Sequence, residues 1–132
     1  MWMDWFTGRV RELAQAQASP GLTVIADALK EWFSEPDFRG CAFINTVAEL
    51  GEDSAEERRI AADHKRELRD FIRTLIPERS EPSADDTAEL ALLIVDGAIV
   101  RAQMTNNAKV AEEARALLAM LDAKTLGSSD AY

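Results

Sequence analysis

The sequence predicts an all-α chain of about six helices, and three observations carry that reading. Proline occurs only at Pro20, Pro36, Pro77 and Pro82, which leaves long uninterrupted segments. Apolar residues recur at three- and four-residue spacing along most of those segments, and no alternating strand pattern stands out. The third observation is the stretch from Ser83 to Leu121. There Ala88 to Val100 is apolar at almost every position except Glu89, Asp96 and Gly97, a polar break follows at Thr105-Asn106-Asn107, and a second apolar-rich segment ends in Leu117, Leu118, Met120 and Leu121. A helix that is apolar all round has to be covered on more than one side. In a chain of 132 residues its own helices cover one face, so the other is expected to meet a second copy. The last two helices should therefore form an antiparallel hairpin that docks on its twin as a four-helix interface.

That interface would draw on Leu90, Leu93, Ile94, Asp96, Gly97, Val100, Arg101, Met104, Leu117 and Leu121. Gly97 would let a helix approach closely. Asp96, read as buried, would need donors: a hydroxyl, a backbone amide, or Arg101 of the partner subunit.

Composition narrows the function classes. The chain reads as a single domain of ordinary size over residues 1–132, with 47% apolar and 30% charged residues, which argues against general disorder. Its formal charge of -9 disfavours phosphate neutralisation, so direct nucleic-acid binding is not expected. A lone cysteine, Cys41, makes no internal disulfide and points to a reducing compartment. No signal peptide pattern opens the chain, and its longest apolar run is too short for a bilayer, so a soluble cytoplasmic protein without membrane contact is expected.

The elements follow in order. Trp2, Trp5, Phe6, Val10 and Leu13 mark an amphipathic first helix, whose opening tryptophans are read as having packed on something upstream. Ser19-Pro20-Gly21 breaks it, and Leu22, Ile25, Ala26, Leu29, Trp32 and Phe33 line a second helix that Glu35-Pro36-Asp37 ends. Phe38 to Leu50 reads as a mostly apolar third helix with a polar stripe of Asn45, Thr46 and Glu49. Gly51 to Ser54 stops it, Ser54 and Glu57 have capping-box spacing, and Ala55 to Ile76 carries Ile60, His64, Leu68, Phe71 and Leu75 on one face. Its basic residues alternate with acids, so they read as a salt-bridged solvent face. Residues 77–86 are expected as a loop and 125–132 as a frayed tail.

Two segments together resemble the C-terminal domain of tetracycline-repressor-like (TetR family) transcriptional regulators. They are Phe38-Arg39-Gly40-Cys41-Ala42-Phe43-Ile44-Asn45, continuing to Ala48-Glu49-Leu50, and Leu92 to Ala102, followed by Ala114-Arg115 and Leu117-Leu118. The resemblance implies a regulatory domain that dimerises through its last two helices and binds a small lipophilic effector between the first four. It also implies that the helix-turn-helix unit which reads DNA is absent from this chain, by excision or by loss. Effector binding would act by favouring one position of the helix from Trp2 to Ala18.

The residues proposed to line that pocket are Asn45, Thr46, Glu49 and His64 as polar groups, with Phe6, Trp32, Phe43 and Phe71 as apolar walls. The plainer reading has Asn45 and Glu49 bridging helices and His64 as a hydrogen-bonded core histidine, in a helical dimer that takes no ligand. No enzyme is expected. Cys41 lies in an apolar run unsuited to a thiolate, one histidine gives a metal too few ligands, and no phosphate loop or serine elbow occurs, so no metal or cofactor is expected.

Overall fold

The computed structural model describes residues 2–17, 21–38, 40, 55–77 and 83–130, the last five without side-chain detail. Within them the chain is helical: α1 (Trp2–Gln15), α2 (Thr23–Phe33), α3 (Ala55–Arg73), α4 (Ala84–Thr105) and α5 (Val110–Asp130). The all-α expectation holds. The helix expected over Phe38 to Leu50 lies outside the described residues, apart from Phe38 and Gly40.

The core forms where the apolar faces of these helices meet. Phe6 and Val10 of α1, Ile25 and Leu29 of α2, Leu68 and Ile72 of α3, Val95 and Ile99 of α4 and Leu118 of α5 are fully buried. The hairpin of α4 and α5 packs on the rest of the chain through both helices, α5 against α2 and α4 against α3, while α1 lies along α2. Trp2 and Arg11 of α1 also reach His64 and Phe71 of α3, so α1 bridges α2 and α3. Small residues let α4 sit close to its neighbours: Ala84, Ala88, Ala91, Ala98 and Ala102 all face inward.

Helix ends follow local chemistry in α4. Ser83 starts it, its Oγ accepting from the Asp86 N–H at 3.2 Å, and Asn106 ends it in the left-handed region at φ 51°, its N–H donating to the Ala102 carbonyl. The expected 77–86 loop is thus cut short, because Ser83 caps a helix that already contains Ala84, Asp85 and Asp86. Helix α5 continues to Asp130 rather than ending at a tail from 125. Thr125 is buried, and its Oγ1 donates to the Asp122 carbonyl at 2.9 Å.

The charged face of α3 does more than solvate itself. Arg66 pairs with Asp63 along the helix, but Lys65, Arg69 and Arg73 cross to Asp96, Glu89 and Asp85 of α4. These three residues sit four apart on α3, so they form an ion-pair ladder down one helix contact. Ile60, expected on the buried face, is 47% exposed.

Candidate functional site

The outer face of the α4–α5 hairpin carries the sequence-predicted interface residues. Along α4, Leu90, Leu93, Gly97, Val100, Arg101 and Met104 follow one another at helical spacing. Leu93 is 67% exposed and Met104 80%, and Leu117 and Met120 of α5 are exposed beside them. Between the two rows runs an open groove of about 900 Å³, lined mainly by Leu93, Ile94, Val100, Met104, Val110, Ala114 and Leu117. Leu90 lies near one end of this face, and Leu121, half-buried, turns toward the core.

Three charged residues line the groove, and each is paired within its own chain. Asp96 Oδ1 lies 2.8 Å from Lys65 Nζ, and Arg101 Nη1 lies 3.0 Å from Glu113 Oε2. Asp96 was expected to be buried and to take a donor from a hydroxyl, a backbone amide or Arg101 of the partner subunit. Its side chain is 28% exposed and meets α3 through Lys65, the end rung of the ladder. Gly97 is exposed, and a Cβ built on it would meet nothing within 4 Å among the described residues.

The second set of candidates gathers beneath α1. Trp2 stacks on Phe6 with ring centroids 4.9 Å apart, and its ring is 5.0 Å from Trp32 and 5.9 Å from His64. Phe38 meets Trp32 edge-on at 4.8 Å and Phe33 at 5.1 Å. Of the proposed pocket residues, the walls Phe6 and Trp32 and the polar His64 are therefore brought together, through Trp2, which the site prediction omitted. Trp2 packs inward, against Phe6, Trp32 and His64. Phe71 is buried apart from this set, under the guanidinium of Arg11 at 5.0 Å. Phe43, Asn45, Thr46 and Glu49 lie outside the described residues.

Electrostatics in the layer centre on His64. Burial, reinforced by the positive charge of Lys65, holds its imidazole below the usual range, against weaker upward pulls from Glu67 and Asp96. Neutral His64 therefore offers one ring nitrogen as acceptor and one as donor. The Trp2 Nε1–H is buried with no acceptor among the described residues. No cluster of three His, Cys, Asp or Glu side chains suited to a metal ion occurs among those residues, and no described helix is long and apolar enough to cross a membrane.

Compared with known families, curated proteins and solved structures, the chain matches no family model, no curated protein and no solved structure. The resemblance to TetR-like regulators accordingly rests on the quoted residues alone.

Proposed function

We propose that this chain is a self-associating helical module, of the kind that regulators of the TetR type use to pair, with the outer face of α4 and α5 as its contact surface. The observation that carries this reading is the exposed row of Leu90, Leu93 and Met104 beside Leu117 and Met120. Large apolar side chains gathered on one face of a soluble domain mark an interaction surface more often than chance exposure. A second copy is the occupant favoured by area and by charge. Two helices of this length side by side present roughly 30 by 20 Å, on the order of 600 Å², comparable with the ~800 Å² each partner gives to a standard interface. The charges lining the groove are already paired within the chain, so two acidic copies can meet there without setting unpaired like charges face to face.

A second reading adds effector sensing. It is favoured by the part-buried pair of Trp2 and His64, which sets an indole N–H and an imidazole beside aromatic rings. Helix α1, which carries Trp2, would then be the element whose position a lipophilic ligand biases.

A native mass spectrum of the purified chain tests both. A dimer that dissociates on dilution supports self-association, and extra mass on it supports effector binding and begins to identify the compound. A chain that is monomeric at every accessible concentration overturns the proposal.

A further inference from the structure

We propose that the association face is oxidant-sensitive, with the thioethers of Met104 and Met120 as the groups whose oxidation separates the copies. The inference rests on the self-association reading and names how that surface is regulated. Leu93, Met104 and Met120 are the most exposed large apolar side chains of the described residues, at 67%, 80% and 66%. Two of these three are methionines, one in each row of the face. Of the chain's other two methionines, Met3 is half-buried against the core and Met1 lies outside the described residues.

The chemistry discriminates between these side chains. A hydroperoxide transfers one oxygen atom to a thioether: the sulfur lone pair attacks, the O–O bond breaks, an S=O bond forms, and water or an alcohol leaves. The sulfur is oxidised by two electrons and the peroxide reduced by two. Leucine has no such reaction. Methionine sulfoxide is polar, and its oxygen needs a hydrogen-bond donor once buried. The face supplies few donors, since Arg101 is already committed to Glu113 and the remaining lining is mainly aliphatic. In a paired state both thioethers are covered, so the oxidant acts on the dissociated chain and holds it apart. Reduction of the sulfoxide restores pairing. Unbranched, flexible Met side chains also suit a surface that has to pack against another copy.

The test compares wild type with Met104→Leu/Met120→Leu before and after hydrogen peroxide, reading sulfoxide by peptide mass spectrometry and association by sedimentation. The dissociation constant of each protein before treatment serves as its own reference. Oxidation should raise the wild-type dissociation constant at least tenfold and leave the double variant within about twofold of its starting value. Wild type that carries sulfoxide at both positions and pairs as before overturns the inference, and so does equal loss of pairing in the double variant. A wild-type chain that is monomeric before peroxide is added overturns the self-association reading itself, and this inference with it.

Discussion

Asp122 of α5 caps α2 from a distance of 100 residues: its Oδ1 accepts from the Leu22 N–H at 2.9 Å and its Oδ2 from the Thr23 N–H at 3.4 Å. The carboxylate thereby satisfies donors that the first turn of a helix cannot pair internally, and its charge faces the positive end of the helix dipole. Gly21 belongs to the same device, since a Cβ there would lie 2.6 Å from Asp122 Oδ2. Asp122→Ala should cost about 1 kcal/mol, the usual effect of losing an N-cap side chain. Gly21→Ala should cost a similar amount in the wild type, by pushing the carboxylate off the amides. In the Asp122→Ala background the same change should cost much less, so urea denaturation of the four proteins should give a coupling energy well above zero. Additive losses would sink the account.

Gly97 separates folding from pairing. It stands exposed on α4 with open space where a side chain would point, so Gly97→Leu should leave the single chain intact and strengthen its helix by about 0.5 kcal/mol. On the proposed contact surface the same leucine blocks close approach of a second helix. Pairing should weaken by about 2 kcal/mol, roughly thirtyfold in Kd. Sedimentation and thermal melting on one sample check both halves. A variant that pairs as tightly as wild type would move Gly97 out of the interface.

What could be read from the sequence was what local periodicity encodes. The apolar run from Ala88 to Val100 announced a helix with two apolar faces, and its inner face is buried in the structure while Leu90 and Leu93 remain on the outer one. Contacts between residues distant in sequence were not readable. Nothing near Asp122 signals that it caps α2, and nothing near Lys65 signals that it meets Asp96. Trp2 shares a face with Phe6 of its own helix, which periodicity shows, but its contacts with Trp32 and His64 depend on other helices and were not readable. Half of the proposed effector site, from Phe43 to Glu49, falls outside the described residues.

Thr87 is fully buried near the start of α4, and its hydroxyl has no hydrogen-bond partner among the described residues. Leaving a hydroxyl without a partner in an apolar setting is unfavourable, and valine has nearly the same shape without the polar atom. Thr87→Val should therefore stabilise the chain by about 1 kcal/mol, read as a higher urea midpoint at unchanged slope. A loss of stability would mean that the hydroxyl is paired in solution.

His64 gives the chain a pH dependence of definite sign. Burial, then the charge of Lys65, sets its folded pKa below the ordinary 6.5, against weaker opposing pulls from Glu67 and Asp96. Between the folded value and 6.5 the unfolded chain holds a proton that the folded chain does not, so stability rises with pH across that interval. The contribution is fully present above 6.5 and is lost as pH falls through the folded value. The carboxylate of Glu112, lowered by its hydrogen bonds from Lys30 and Arg115, changes its contribution only at pH values below its ordinary 4.5 and so adds nothing to the slope above that pH. Melting curves taken between about pH 8 and pH 5 should fall more steeply for wild type than for His64→Gln, which cannot gain a proton there. Because the imidazole rests on Trp2, the same titration should alter the Trp2 indole N–H resonance in the folded chain. Parallel melting curves for the two proteins, with no change at that resonance, would remove His64 from the layer beneath α1.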